Sequence, residues 1–232
     1  MPMVTTMDRR VLRFLRDIAA NNNKSWFEAH RDEYEAAREA FHAFGETFID
    51  IVYKEDPKIG ELKAKDCTYR INRDVRFSAD KSPYKRHFGL FAATGGRKSR
   101  LPGYYLHIEP GNSLFCSGNY GLTSEELRRL RTEIANFPEE LDEIVCGEEF
   151  ASNMVLSDED KLKTKPKGYE IAEGYEEYLK YKTLNAVMRF TDEEVESGDF
   201  IKKLKKAVRL SHPLNDFYRR ALETEVEEDY GL

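Results

Sequence analysis

The spacing of apolar residues changes along the chain, and this change constrains the fold more than any other feature. Over residues 11–19 and 27–51, apolar side chains recur every three or four positions, as on one face of an α-helix. Over residues 67–120 and 184–190 they recur at every second position, as in a half-buried β-strand. Helical spacing returns over residues 200–222. The order of helices, strands and helices predicts an α+β fold.

Local signals indicate where the helices begin and end. The first apolar stripe predicts a helix that ends at the asparagines of residues 21–23, whose side chains compete with the helical backbone. Residues 25–28 (Ser-Trp-Phe-Glu) form a capping-box pattern, which predicts one long helix ending before Pro57. Residues 123–126 (Thr-Ser-Glu-Glu) predict the start of another helix in the same way. Pro213 is expected to divide the last helical region in two.

The strand pattern predicts an antiparallel sheet of about four to five strands, from residues 67–120 plus 184–190, packed against the N-terminal and C-terminal helices. No internal repeat or linker divides the chain. We therefore expect one α+β domain over residues 1–232, with an acidic tail over residues 223–232 that frays.

The cysteines and the apolar runs suggest where the protein resides. Three cysteines without a CxxC spacing predict neither a disulfide framework nor a zinc site. No apolar run approaches the length of a membrane span, and charges interrupt the N-terminal segment where a signal peptide would need apolar residues. We therefore expect a cytoplasmic protein without a membrane partner. The sequence does not indicate its oligomeric state.

Charge is concentrated in one segment. Residues 63–100 hold eleven Lys or Arg and three Asp, a local net charge of +8 in a chain whose net charge is -6, so the remainder carries -14. Aromatic residues between these cations would suit a nucleic acid. The acidic remainder nevertheless repels polyanions, which disfavours a nucleic-acid partner of duplex size.

Strand alternation divides the side chains of this region between two faces of the predicted sheet. Tyr69 and Ile71 are expected to face the core. The opposite, polar face is expected to carry Arg70, Asn72, His87, Tyr105, His107 and Ser117. The loop between the first two strands is expected to add Arg73, Arg76, Lys81, Tyr84 and Lys85 at the rim of this face. Because neighbouring strands lie about 5 Å apart, these side chains are expected to converge.

Arginine offers a planar fork of donors suited to carboxylate or phosphate, and histidine transfers protons near neutral pH. We therefore predict that the polar face binds a small anionic ligand bearing phosphate or carboxylate, with Arg70, Arg73 and Arg76 as anion clamps. His87 and His107 are the candidate catalytic residues. The other predicted ligand-binding residues are Asn72, Lys81, Tyr84, Lys85 and Tyr105. The sequence does not decide whether the protein is an enzyme.

Two other interpretations of the basic segment stay open. In the first, it is a non-enzymatic interaction module that contacts an acidic protein or a nucleic acid. In the second, its arginines are structural clamps paired with Asp74 and Asp80. Arginines that line a pocket would favour the ligand, whereas Arg73 and Arg76 fully paired with these carboxylates or with helix ends would rule out a ligand clamped by them.

Common catalytic motifs are missing from the sequence. The Gly-Gly-Arg-Lys-Ser stretch at residues 95–99 lacks the spacing of a phosphate-binding P-loop, and the patterns of serine hydrolases and zinc hydrolases do not occur. His87, His107 and Glu109 would form a set of two imidazoles and one carboxylate, but strand alternation is the only support for it. We therefore predict no metal and no other cofactor.

Four segments together resemble a known family. They are NNNKSWFEAHRDEYEAAR, RINRDVRFSADKSPYKRHFG, GGRKSRLPGYYLHIEPGNSLFCSGNYG and HPLNDFYRRAL. The chain resembles domain of unknown function family 2461 from about residue 8 to residue 222. The resemblance implies a shared α+β domain and supplies no catalytic residues. Where many relatives have glycines, this chain reads LFCSGNYG, so Cys116 is interpreted as a local variation rather than a nucleophile.

Overall fold

The computed structural model describes residues 4–223, and its elements follow the order of the sequence pattern. Within this part of the chain the α-helices are α1 Arg9–Ala20, α2 Lys24–Ala29, α3 Arg31–Glu55, α4 Ala64–Cys67, α5 Ser124–Asn136, α6 Pro138–Cys146, α7 Glu148–Ala151, α8 Asp192–Val195 and α9 Phe200–Glu223. The strands are β1 Phe88–Ala92, β2 Gly103–Ile108, β3 Ser113–Gly118, β4 Val155–Leu156 and β5 Ala186–Phe190. The expected acidic tail lies, beyond Glu223, outside the described residues.

The five strands form one antiparallel sheet in the order β1-β2-β3-β5-β4. The first three are consecutive in the chain, and the β2–β3 turn contains Gly111, whose positive φ of 71° suits a residue without a side chain. The predicted α+β class, with an antiparallel sheet between N-terminal and C-terminal helices, is confirmed. None of the helices in residues 4–223 has the length and apolar character needed to cross a membrane.

The core lies between one face of this sheet and the helices α3 and α9. Phe88, Leu106 and Phe115 point from three adjacent strands to this face and are at most 2% exposed. The rings of Phe41 and Phe48 in α3 contact those of Phe88 and Phe115, with centroids 5.3 and 6.3 Å apart. Each such buried side chain contributes about 1.5–3 kcal/mol. The opposite face of the sheet points away from α3 and α9.

A buried ion pair connects the end of α3 to α9. Arg219 Nη2 donates to Asp56 Oδ2 at 2.7 Å, and the two side chains are 3% and 0% exposed. The Tyr104 hydroxyl donates to the same carboxylate at 3.0 Å, and Arg219 Nη1 donates to Asp216 at 2.6 Å. A buried charge is tolerated only when it is paired and hydrogen-bonded, so this group of contacts fixes both helices against β2.

The predicted long helix is two helices, α2 and α3, and its predicted cap was wrong. Asn23 rather than Ser25 caps α2, because its side-chain oxygen accepts a hydrogen bond from the Trp26 N–H at 2.9 Å. The chain then turns at His30, whose N–H donates to the carbonyls of Trp26 and Phe27. The apolar stripe continues through the turn, which is why spacing alone did not reveal it.

Helix α9 passes through Pro213 without ending, so the predicted division into two helices was also wrong. Proline removes one backbone donor and costs about 3 kcal/mol in a helix interior. Buried residues on both sides of it, Val208, Leu214 and Phe217, keep the same face against the core. This continuous burial offsets the cost of the proline.

Residues 68–72 do not form the predicted first strand. They form two isolated bridges, Thr68 with Leu90 in β1 and Asn72 with Tyr84 in the loop before β1, while residues 64–67 form α4. Without a continuous ladder, strict alternation does not hold. Ile71 is buried as predicted, but Tyr69 is 37% exposed instead of facing the core.

Candidate functional site

A cleft of about 480 Å³ opens on the sheet face that points away from α3 and α9. Its lining includes Phe91, Tyr105 and Cys116, which form one row across three strands because Phe91 pairs with Tyr105 and Tyr105 pairs with Cys116. Residues outside the strands complete the walls. They include Tyr69, Lys85, His87, Arg97, Asn119, Tyr120 and Asn185.

The position of Tyr105 depends on a glycine in the neighbouring strand. A Cβ atom at Gly89 would lie 2.9 and 3.0 Å from ring carbons of Tyr105, and closer still to its hydroxyl oxygen. The absent side chain therefore lets the tyrosine ring lie over β1. From this position the Tyr105 hydroxyl contacts His107 Nδ1 at 2.9 Å, and its ring meets that of Tyr69 edge to face at 6.3 Å.

Two histidines and a glutamate lie together beside the cleft. The rings of His87 and His107 are 4.2 Å apart, and His107 Nε2 lies 3.1 Å from Glu109 Oε2. Burial, with the nearby His107 and Lys85, lowers the pKa of His87 to about 4. Burial also lowers the pKa of His107, against the opposing effect of Glu109. Both imidazoles are therefore neutral at pH 7.

The other members of this group have defined partners. Asn112 Nδ2 donates to Glu109 Oε2 at 2.9 Å. Although burial opposes it, the hydrogen bonds from Asn112 and His107 lower the pKa of Glu109, so this carboxylate is ionised. Burial raises the pKa of the Cys116 thiol in the cleft to about 12. A thiol in this state is a poor nucleophile, in agreement with the interpretation of Cys116 as a local variation.

Of the residues that the structure describes, two cations and no acidic residue line the cleft. The Lys85 ammonium lies 5.3 Å from the centre of the Tyr69 ring, and burial together with the charge of Arg70 lowers the pKa of Lys85. Arg97 Nη1 donates to the carbonyls of Asp66 and Thr68 at 2.9 and 3.2 Å, at the end of α4. Among residues 4–223, neither Lys85 nor Arg97 forms an ion pair with a carboxylate.

The structure brings together four of the residues that the sequence analysis selected. Lys85, His87 and Tyr105 line the cleft. His107 lies beside the cleft and contacts His87 and Tyr105. Arg70 is exposed and lies near enough to Lys85 to influence its pKa. The role of all these residues in ligand binding stays a prediction.

The arginines expected to clamp an anion are paired within the loop. Arg73 Nη1 donates to Asp80 at 2.7 Å and to the Ser82 carbonyl at 2.9 Å. Arg76 binds Asp74 through Nε and Nη2, at 2.9 and 2.6 Å. Neither arginine lines the cleft. This arrangement is the one expected of structural clamps.

The remaining selected residues also lie away from the cleft. Lys81 Nζ donates to the Val75 carbonyl at 3.0 Å. Tyr84 is buried, with its ring stacked 4.1 Å from that of Phe27, and Asn72 is exposed in its bridge to Tyr84. Ser117, which was expected on the polar face, is completely buried on the core face and donates a hydrogen bond to Asn215.

Sequence reasoning missed several residues of the cleft. Phe91 has the same parity in β1 as Gly89, opposite to Leu90, so alternation could have placed it beside Tyr105. Arg97 was considered only as part of a failed P-loop pattern, and its place depends on carbonyls some thirty residues earlier. Tyr69 was assigned to the core because a regular strand was assumed.

A family model described as "Conserved hypothetical protein (DUF2461)" matches residues 10–217. The chain therefore belongs to this family, as the resemblance of its four segments implied. Searches of curated proteins and of solved structures returned no match. Because the family description names no activity, the function has to be argued from the chemistry of the cleft.

Proposed function

We propose that this member of the family binds a small anionic ligand, bearing a phosphate or a carboxylate, in the cleft. The observation that supports it is the charge of the lining: within residues 4–223, Lys85 and Arg97 line the cleft and no acidic residue does, in a chain with a net charge of -6. The half-buried Lys85 is held against the Tyr69 ring without a carboxylate partner. An anion entering the cleft would supply that partner.

The rest of the lining favours a ligand with a flat or apolar part. Tyr69, Phe91, Tyr105 and Tyr120 provide aromatic surfaces, and Tyr120 is 89% exposed. Such surfaces contribute most when a ring or an apolar chain covers them. His87 adds a neutral imidazole to the wall, which can donate or accept a hydrogen bond with the ligand.

Ligand-induced stabilisation is the direct test. A panel of inorganic phosphate, phosphorylated metabolites and aromatic carboxylates should include a compound that stabilises the wild type. At 100 times its Kd a ligand adds about 2.7 kcal/mol, which is roughly 5–10 °C for a chain of this size. Lys85→Met should weaken binding about 10- to 100-fold, because a charge-assisted hydrogen bond is lost.

Lys81→Met is the matched control. It removes the same charge from the same segment, but its ammonium contacts the Val75 carbonyl outside the cleft. It should therefore leave binding unchanged. If no anion stabilises the wild type, or if the two variants respond alike in calorimetry, the proposal is wrong.

One observation favours the alternative function as an interaction module. Phe77 is 97% exposed at the tip of the basic loop, with the Arg76 guanidinium 5.9 Å from its ring. An acidic protein would find an apolar contact there, beside a guanidinium whose ion pair with Asp74 is exposed to solvent. Phe77→Ser should then abolish binding of an acidic partner and leave the response to small anions intact, whereas Lys85→Met should do the reverse.

A further inference from the structure

We propose that His87, His107 and Glu109 bind a divalent transition metal ion beside the cleft. One ligand atom from each residue lies within 4.8 Å of the others. Two imidazoles and one carboxylate form a donor set that suits Zn²⁺ and other first-row divalent metals. The site shares His87 with the wall of the cleft, but metal binding there does not depend on the anionic ligand.

The geometry of one pair already approaches that of a metal site. Donor atoms around a tetrahedral zinc, at about 2.05 Å from the metal, lie roughly 3.3 Å from one another. His107 Nε2 and Glu109 Oε2 are 3.1 Å apart. A metal would therefore replace this contact by two coordinate bonds with little movement. The ligand atom of His87, which lies just before β1, is within 4.8 Å of the other two, so it must approach by at most about 1.5 Å, a distance within the reach of side-chain rotation.

The local backbone explains why these three residues meet. His107 and Glu109 are two positions apart at the end of β2, so both side chains point to the same face. In β1, the residue that pairs with His107 is Gly89, which has no side chain to occupy this face. The Tyr105 ring fills that space, and the ring of His87, two positions before Gly89 and on the same face, lies 4.2 Å from that of His107. The arrangement thus follows from the register of a continuous ladder.

Hydrogen bonds around the three residues fix their orientation. The Tyr105 hydroxyl contacts His107 Nδ1 at 2.9 Å, which leaves Nε2 directed at Glu109. Asn112 Nδ2 holds the Glu109 carboxylate at 2.9 Å. Metal-binding histidines and carboxylates usually have such partners, because the partner sets the tautomer and the direction of the lone pair. The His107 and Glu109 side chains are only 13% and 25% exposed, which limits competition from water.

The charges near the site set an upper limit on affinity. Glu109 supplies one negative charge, but Lys85 and Arg189 lie close enough to influence His107 electrostatically. Three protein ligands also leave at least one coordination position for water. Since His87 lines the cleft, this position faces the same space. The site resembles a catalytic metal site, with an open position, more than a closed structural one.

Metal titration of the full chain tests the proposal without any anionic ligand. After treatment with a chelator, the protein is titrated with Co²⁺ by visible absorption and with Zn²⁺ and Fe²⁺ by calorimetry or anaerobic competition. We expect one equivalent of metal and a cobalt spectrum with ligand-field bands. Loss of an outer hydrogen-bond partner already weakens metal sites about 10- to 100-fold, so His87→Ala and His107→Ala should weaken binding more than about tenfold.

Two further variants control for misfolding and for the loss of a histidine outside the cluster. Glu109→Gln preserves the shape of the side chain and should weaken binding by a similar factor even if a histidine variant folds poorly. His42→Ala removes a half-buried histidine of α3 that is not part of the cluster, and it should bind metal as the wild type does. Absence of stoichiometric binding to the wild type, or binding unaffected by His87→Ala and Glu109→Gln, would overturn the proposal. Anion binding measured with the chelator present reports separately on the cleft.

Discussion

The buried pair of Asp56 and Arg219 offers the sharpest test of how this fold is held together. Arg219→Ala leaves a carboxylate with 0% exposure and removes its closest donor, at 2.7 Å. The Tyr104 hydroxyl at 3.0 Å and the Lys58 N–H at 3.2 Å remain. Two neutral donors do not replace a guanidinium. Breaking such a pair on one side costs about 3–5 kcal/mol of the free energy of unfolding.

The double-mutant cycle separates the pair from general packing. Asp56→Ala should cost about as much as Arg219→Ala, because it leaves a guanidinium that is 3% exposed and that keeps, among the described residues, one charged partner, Asp216. The double variant should be more stable than the sum of the two losses predicts, by about 1–3 kcal/mol, since neither unpaired charge is then present. This coupling free energy is the quantity that the structure predicts.

Urea denaturation followed by far-ultraviolet circular dichroism measures these changes, with an unchanged m value showing that the unfolding transition is comparable. Arg209→Ala is the control on the same helix, because its ion pair with Glu149 is half exposed on both sides and should contribute at most about 1 kcal/mol. Single variants that cost less than about 1 kcal/mol, or strictly additive losses, would refute the role of the buried pair.

Three further predictions follow from individual contacts. Gly89→Ala should cost about 1–3 kcal/mol in urea denaturation and weaken any cleft ligand, because the new methyl group displaces the tyrosine ring above it; equal stability would contradict this packing. Asn23→Ala should cost about 1 kcal/mol, whereas Ser25→Ala should cost almost nothing, since Asn23 is the cap of α2; the reverse order would restore the sequence-based assignment. The hydrogen bond from Arg100 lowers the pKa of Glu126 to about 2. The ion pair of Glu126 with Arg100 therefore contributes its full share of the free energy of unfolding above about pH 4.5, and this contribution is lost as the pH falls towards 2. Glu126→Gln should therefore flatten this part of the stability profile, and an unchanged profile would exclude the pairing.

The sequence predicted the fold correctly in those helices and strands whose apolar residues keep one spacing from end to end. Alternation in the continuous ladder of β2 correctly separated Leu106, on the core face, from Tyr105. The capping box at residues 123–126 is present as expected. Alternation failed at Tyr69, because this residue lies in a segment joined to the sheet only by isolated bridges. Such bridges depend on how distant segments dock, which local periodicity does not encode.

The candidate site could be predicted only in part for a related reason. Lys85, His87 and Tyr105 lie next to or within regular strands, and parity or proximity in the chain was enough to select them. Arg97 reaches the cleft because its guanidinium binds carbonyls at the end of α4. That contact joins segments about thirty residues apart, and only the folded chain shows it.

The structure also changes the meaning of the basic segment that dominates the charge pattern. Arg73 and Arg76 are neutralised by the two neighbouring aspartates, and Arg97 partly serves to cap a helix. The local net charge of +8 already counts these aspartates, but because Arg73 and Arg76 are held by them, the segment does not present all eleven of its cations to one partner. A protein that contacts six to ten phosphates of a duplex loses about 10³- to 10⁵-fold in affinity between 50 and 200 mM salt. A ligand held by Lys85 and Arg97 neutralises only two cations, so its affinity should depend on salt far less steeply. The distribution of ion pairs thus favours a small anion over a polyanion.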